Sequence, residues 1–389
     1  MFCLLRFSIS ISAQTDTTRP LVAADTTRPL KIAVFAPVYL DSVFTDADYK
    51  LGRNNLPKYL LPGLDFYNGI MRAIDSLNKE NTPVEVLFYD SKSSTEPIED
   101  VLLKYEMNDV SLIIASFNTR TDVKPLADFA LSHNIPLISS VYPNDGGVTA
   151  NPYFVLINPT LGTHIEAIYK YLQRYYPTDN ITMFSRKGGA EDMIQAMISD
   201  MNKKTYGIPL KLKTIELSDN FTSTQLATYL DSTKKNVMLC GSLNETFGTN
   251  LVKAIGSLKS YQAVIMGMPT WDGIKDLGKE TDIIYSTPYN LLRTDKLSQQ
   301  LTAKYRARYF SRPSDMVFKG FESMYHFTKL LLKHRNELIN NLSDKQYTLF
   351  NEFDIQPVKA NKESTAPDYL ENKKIYFVRK LNTKFKSMN

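Results

Sequence analysis

From Leu30 onward, short runs of almost unbroken apolar residues alternate with longer segments whose apolar residues recur at helical spacing, and this alternation constrains the fold more than any other feature. The runs are Lys31–Ala36 (KIAVFA), Val84–Tyr89, Val110–Ala115, Pro136–Val141, Tyr153–Ile157, Ile181–Ser185, Val237–Cys240, Ala263–Gly267 and Asp282–Ser286. A strand with one wet face alternates apolar and polar residues; most of these runs are nearly continuously apolar, as expected of strands in a parallel sheet covered by helices on both sides. Between them, Gly63–Lys79 sets Leu64, Tyr67, Ile70, Met71, Ile74 and Leu77 on one stripe, and similar stripes occupy 121–133, 189–204, 245–258 and 296–310. The pattern predicts an α/β fold built from βαβ units with mostly parallel sheets.

The strands fall into two sets, from Lys31 to about Ile157 and from about Ile181 to Ser286. A helical pair at 294–311 and 313–334 and a late strand at Ile375–Lys380 follow, so the chain is expected to pass back and forth between two Rossmann-like lobes with a cleft between them. With 389 residues there is room for two domains. The expected division is a leader remnant and linker at 1–29, a first lobe of 30–155 plus 288–335, and a second of 156–287 plus 336–389.

The signatures of other α/β chemistries are absent. Ala36-Pro37-Val38-Tyr39-Leu40-Asp41 follows the first strand, with no G-x-G-x-x-G to admit a pyrophosphate, and the chain has no P-loop, no G-x-S-x-G elbow and no H-E-x-x-H. Two cysteines and four scattered histidines give no zinc spacing and no disulfide framework, and Cys240 in Val237-Met238-Leu239-Cys240 reads as core. Glu191-Asp192 and Glu99-Asp100 sit at expected helix starts, where the helix dipole accounts for them. A net charge of +5 over this length is too dilute to indicate nucleic acid. The final eighteen residues hold Lys373, Lys374, Arg379, Lys380, Lys384 and Lys386 without an acid, which reads as a solvated edge strand and tail. No cofactor, metal or catalytic constellation is expected.

The opening MFCLLRFSISISAQ resembles the end of a secretory leader, with cleavage after Ala13, and an Asp-Thr-Thr-Arg-Pro-Leu repeat at 16–21 and 25–30 reads as linker. Arg6 interrupts the apolar part and no basic region precedes it, so the start is expected to lie upstream, with a lipid anchor open there. The expected location is the periplasm or cell envelope.

In open α/β sheets, ligands bind beyond the carboxyl ends of the strands, where helix N-termini present free N–H groups. The residues there are Ser116-Phe117-Asn118-Thr119, Ser139-Ser140-Val141-Tyr142, Ser185-Arg186-Lys187-Gly188-Gly189, Gly241-Ser242-Leu243-Asn244-Glu245 and Pro269-Thr270-Trp271-Asp272. Hydroxyls and amides form hydrogen bonds without acid–base work, which suits a binding cleft. One such residue is an ordinary helix cap; recurrence after five strands argues for a ligand. Trp271 reads equally as a cleft aromatic or a loop anchor.

The order of segments resembles the type I periplasmic binding proteins, especially the leucine/isoleucine/valine-binding branch, over about Leu30 to His334. The likeness is carried by Val110–Ser116 through Pro125-Leu126-Ala127 and Asn134-Ile135-Pro136-Leu137-Ile138-Ser139-Ser140, by Asn151-Pro152-Tyr153-Phe154-Val155-Leu156 at the passage into the second lobe, and by Lys319-Gly320-Phe321-Glu322-Ser323-Met324-Tyr325. The resemblance implies two lobes joined by three crossings that close over a ligand, commonly an amino acid, for delivery to a membrane transporter. By position it implies first-lobe contacts from Ser116, Ser139, Ser140 and Tyr142, and second-lobe contacts from Ser185, Gly188, Ser242, Asn244, Glu245 and Trp271; Asn118 and Thr119 join the expected ligand contacts by their place after the third strand. The chain departs from that family in a long polar and aromatic stretch, Tyr39–Pro62, where a glycine-rich segment is usual. The rival expectation is an envelope interaction protein that keeps the fold without a small-molecule ligand, favoured if this stretch plugs the cleft.

Overall fold

The computed structural model describes residues 29–388 apart from 46–47, 53–55, 83, 275–277, 279–280, 291–292, 361–362 and 383, so the expected leader lies outside the described residues. The chain opens with β1 (Leu30–Ala36), α1 (Leu40–Val43), a hairpin of β2 (Phe44–Thr45) and β3 (Asp48–Tyr49), α2 (Leu61–Lys79), β4 (Val84–Asp90), α3 (Ile98–Leu102), β5 (Val110–Ala115), α4 (Val123–His133), β6 (Leu137–Ser139) and β7 (Phe154–Leu156). A second series follows: α5 (Leu161–Tyr175), β8 (Asn180–Ser185), α6 (Gly189–Lys204), β9 (Lys211–Glu216), α7 (Ser223–Ala227), β10 (Lys235–Cys240), α8 (Glu245–Ser257), β11 (Gln262–Gly267) and β12 (Asp282–Thr287). The chain ends with α9 (Lys296–Tyr309), α10 (Asp315–His334), β13 (Ile355–Val358), β14 (Tyr369–Asn372), β15 (Tyr376–Leu381) and β16 (Lys384–Met388).

These strands form two seven-stranded sheets, ordered β13-β14-β7-β6-β5-β1-β4 and β16-β15-β12-β11-β10-β8-β9. Within each, the strands drawn from the apolar runs pair in parallel, and antiparallel pairing is confined to β13–β14, β12–β15 and β15–β16. Apolar runs become central strands because both faces are covered: Ile32 to Ala36 and Leu112 to Ala115 are at most 1% exposed. The result is two α/β lobes, with the chain passing between sheets after β7, after β12 and after β14. Among the described residues, no helix is long and apolar enough to cross a membrane.

The last part of the chain departs from expectation. Residues 336–389 were assigned to the second lobe, yet β13 and β14 extend the first sheet by pairing on β7, and only β15 and β16 join the second. Leu370 packs into the first-lobe core alongside Phe350 and Phe353. β14, YLEN, is buried at all four positions although half of it is polar, because its Glu371 and Asn372 find partners only in the assembled molecule. β9, KLKTIE, also escapes an apolar-run search, since as an edge strand it alternates exposed lysines with half-buried Leu212.

The crossings are tied to one another by side chains. Asn158 donates to the Val141 carbonyl at 2.5 Å, Tyr289 donates to the Ser140 carbonyl at 3.1 Å, and Asn372 donates to the Ile157 carbonyl at 3.1 Å. Glu371, 1% exposed, accepts from Thr160 N and Oγ1 and from Thr163 Oγ1 at 2.7–2.9 Å, so a carboxylate of the first sheet holds the N-terminus of α5 in the second lobe.

Helices α2 and α10 pack along one face of the first sheet at a separation that only glycine allows. A Cβ on Gly69 would lie 2.2 Å from the Val317 carbonyl oxygen, and one on Gly320 would lie 2.3 Å from that of Phe66. The Gly320-Phe321 pair singled out in the sequence therefore serves packing. Gly69→Ala is expected to cost about 1–3 kcal/mol in urea unfolding, whereas Gly189→Ala in the first turn of α6, where a Cβ meets nothing within 4 Å, should be neutral or gain up to about 1 kcal/mol. Equal midpoints for the two variants would contradict this account of the helix contact.

Candidate functional site

Each sheet reverses its order once among the strands of its first βα units. In the first sheet β1 lies between β4 and β5; in the second, β8 lies between β9 and β10, and the loops after these strands open at the crevice. In the first lobe, the turn after β1 is held by Asp90 at the end of β4, whose carboxylate accepts from the backbone N–H groups of Val38, Tyr39, Leu40 and Lys92 at 2.7–3.1 Å. Tyr39 adopts a left-handed conformation (φ 54°), and its hydroxyl accepts from the Asn118 amide at 2.7 Å. Asp41 fixes the same loop by accepting from Ser94 N and Thr95 N at 2.7 and 3.1 Å; those backbone donors pull its carboxyl down to about 2. Thr119 accepts from Lys92 Nζ at 2.8 Å, and Lys92 also bonds Asp122 at 2.9 Å. Asn118 and Thr119 are thus engaged by the protein itself.

One strand further along the sheet the situation differs. Ser116, Ser139 and Ser140, at the ends of β5 and β6, are at most 2% exposed, and the hydroxyls of Ser139 and Ser140 have no hydrogen-bond partner. Ser91, just beyond β4, is buried with its hydroxyl likewise unpartnered. Ser140 sits at the hinge, its N–H donating to Ala115 O and its carbonyl accepting from Tyr289. Tyr142 is half-buried against the first-lobe core.

In the second lobe, Ser185 Oγ donates to the Gly241 carbonyl at 3.2 Å and Ser242 Oγ donates to Glu191 at 2.6 Å. Gly188 precedes α6, where a Cβ would lie 2.3 Å from the same Glu191 carboxylate, and Arg186 stands 3.8 Å from Glu191 and 3.4 Å from Asp219. Asn244 caps α8 by accepting from Phe247 N at 2.8 Å, and Glu245 is exposed in the first turn of that helix. Trp271 corrects the expectation of a cleft aromatic. It is 0% exposed, fills space that a Cβ on Gly248 or Gly267 would overlap at 2.6 and 2.3 Å, and belongs to the second-lobe core.

Sequence reasoning missed a polar cluster where the lobes meet. Asp272 in the loop after β11 hydrogen-bonds Thr287 and faces Lys319 and Asp315 of α10 and Arg293 of the second crossing. Burial raises its carboxyl to about 6, with Asp315 adding to the rise. Arg293 lies 3.5 Å over the Phe318 ring and donates to Asp315 at 2.5 Å, while Lys319 lies 3.9 Å from the Tyr289 ring centre and is drawn down to about 8 by burial. Behind them Glu322, raised to about 7 by burial, accepts from Phe350 N and Asn351 N. These residues come from three separate segments, and nothing in any one of them marks the meeting. Cys240 is buried with its thiol pushed up to about 12, and among the described residues no three His, Cys, Asp or Glu side chains gather as a metal site.

No protein-family model matches the sequence, and no curated protein matches it by sequence. Solved structures do match along nearly the whole chain. A putative branched-chain amino acid ABC transporter protein from Rhodospirillum rubrum superposes with a TM-score of 0.65 at 11% identity, over 92% of this chain and 100% of that one. A branched-chain amino acid ABC transporter periplasmic ligand-binding protein from Burkholderia xenovorans gives 0.61 at 12% identity, over 92% and 94%. An ABC transporter substrate-binding protein from Desulfitobacterium hafniense in complex with leucine gives 0.58 at 12%, over 93% and 100%. With two mostly parallel sheets, three crossings and this run of neighbours, the chain has the fold of the type I periplasmic binding proteins.

Proposed function

We propose that the protein is an extracytoplasmic solute-binding protein whose lobes close over a small polar ligand, an amino acid or a related compound, and that it hands the ligand on for ABC-type uptake or sensing without converting it. The observation that carries this reading is the pair of unpartnered hydroxyls on Ser139 and Ser140, buried beside the hinge. An unsatisfied buried polar group costs about 1–3 kcal/mol, and a ligand carboxylate or amide reaching these hydroxyls removes that cost on binding. Ser116, Tyr142, Ser185 and Gly188 complete the proposed contacts. The leucine in the Desulfitobacterium structure supports an amino-acid ligand.

A second reading, an envelope interaction protein without a small-molecule ligand, is favoured by one feature: Tyr39, from the long Tyr39–Pro62 stretch, already satisfies the Asn118 amide. A thermal-shift panel of amino acids, short peptides, nucleosides, sugars and cell-wall fragments separates the two, because a ligand at 100 times its Kd stabilises by about 2.7 kcal/mol. A dose-dependent rise with one class supports solute binding; a flat response across the panel favours the second reading.

Ser139→Ala and Ser140→Ala sharpen the test. Each is expected to leave the unliganded protein as stable as before, or more stable by about 1 kcal/mol, while abolishing the ligand-induced shift. Loss of stability without loss of binding would overturn the site.

Closure also rests on the cluster around Asp272, which joins the second lobe to α10 of the first. Its carboxyl ordinarily titrates near 3.8 and here near 6, so between these values the folded chain holds a proton that the unfolded chain has released. The contribution of Asp272 to stability must therefore fall as pH rises through that window, by roughly 3 kcal/mol in total. In urea unfolding at pH 4 to 7, Glu322, raised from 4.5 to about 7, adds to this fall and the buried His164, drawn down to about 3, opposes it, so the test is the difference: the unsubstituted chain should lose more stability across the range than Asp272→Asn. An unchanged slope in the variant would remove Asp272 from the account.

A further inference from the structure

The cations of the C-terminal segment do not share one fate. Arg379 is consumed by Asp282, to which it donates twice at 2.7 and 2.8 Å, and Lys380 is buried. Lys373 and Lys374, in the third crossing, instead line a recess of about 340 Å³ between α5 and β15. Its walls are aromatic: Tyr171 lies 4.5 Å from Tyr175 and 4.5 Å from Phe377, ring centre to ring centre. Lys170 and Arg174 of α5 supply two further cations, and Asp354 is the one acid of the lining.

The pairing of these cations is uneven. Lys170 bonds Glu166 at 2.5 Å, and Lys373 bonds the buried Glu371 at 2.5 Å. Lys374 stands off from Glu352 at 3.7 Å and lies over the Tyr376 ring. Arg174 has no carboxylate within ion-pair distance among the described residues; its guanidinium lies 5.4 Å from the Tyr175 ring centre. Exposed Lys386 extends the positive field, because it faces Arg379 in the β15–β16 register on the side of the strand that carries Met388 into the recess. The carbonyl end of α5 opposes an anion here, but that dipole is a fraction of one charge against several cations.

We propose that this recess is a second ligand site, separate from the cleft, for an anion that carries a flat or apolar group: a phosphate or carboxylate held by Arg174 and Lys374, with the remainder against the exposed Tyr175 and the half-buried Phe377. A guanidinium and an ammonium beside aromatic faces match both halves of such a molecule. A neutral aromatic leaves the cations without a partner, and a bare anion leaves the exposed Tyr175 ring uncovered.

The test is titration calorimetry on the full chain with phenyl phosphate, inorganic phosphate, phenol and dihexanoyl phosphatidate below its micelle concentration. Phenyl phosphate is expected to saturate one site, to bind more tightly than inorganic phosphate, and to weaken as salt is raised; phenol should not bind. Phosphatidate binding more tightly than phenyl phosphate would assign the apolar group to a lipid, and the reverse to a ring-bearing solute. Arg174→Gln with Lys374→Gln should weaken binding about tenfold or more, while Lys211→Gln with Lys213→Gln, on the opposite edge of the same sheet, should leave it unchanged. Melting curves matched to the unsubstituted chain separate loss of the site from loss of the fold. The proposal falls if phenol binds as well as phenyl phosphate, if both double variants weaken binding equally, or if no anion saturates a site at millimolar concentration.

Discussion

A single carboxylate, Glu371, holds the two lobes in register. It sits on β14 at the edge of the first sheet, yet its oxygens accept from Thr160 N and Oγ1, from Thr163 Oγ1 and from Lys373. Thr160 is the residue before α5, so the negative charge lies at the positive end of a helix in the other lobe. Being almost wholly buried, the carboxylate is stable there only while all those donors converge on it. That requirement fixes the distance between the first crossing, where Thr160 lies, and the third, where Lys373 lies. The Asn372 amide on the Ile157 carbonyl ties the same two crossings, and Tyr289 brings in the second through the Ser140 carbonyl. The three crossings are thus short and bonded to one another or to the end of β6.

The position of Ser139 and Ser140 follows from those crossings. β6 is three residues long, and the chain just beyond it is tied to the first and second crossings by Asn158 on the Val141 carbonyl and Tyr289 on the Ser140 carbonyl. Residues there have their backbone satisfied and their side chains confined. Farther from the hinge, the loops after β1 and β5 have room to satisfy one another, as Tyr39 and Asn118 do, and the loop after β10 reaches Glu191.

How much of this was legible in the sequence depends on whether a residue's environment is set locally. Central strands were readable because Ile32–Ala36 or Val110–Ala115 are apolar whatever their neighbours; helices α2, α6 and α8 were readable because their stripes are internal to one segment. The serines at strand ends were found by the general rule about carboxyl ends, which needs only strand positions. What escaped depends on distant partners. β14 looks polar until Thr160 and Ile157 meet it, and the Asp272, Arg293 and Lys319 cluster exists only once the loop after β11 is set against α10. The two readings of Trp271 could not be separated in the sequence because the room it occupies is left by the missing side chains of Gly248 and Gly267, which are distant in the chain.

The polar residues at the strand ends divide by whether the protein already uses them, and that division weighs on function. Asn118, Thr119, Ser242 and Asn244 have partners at 2.6–2.8 Å, so replacing any of them would break an existing bond. Ser139 and Ser140 have none, and alanine would fit either position while removing a buried orphan hydroxyl. A chain that kept this fold only as a scaffold would lose nothing by that change and would gain stability. The proposed solute-binding role gives these two hydroxyls a use, since a ligand with acceptor groups would pair them, and a scaffold role gives them none.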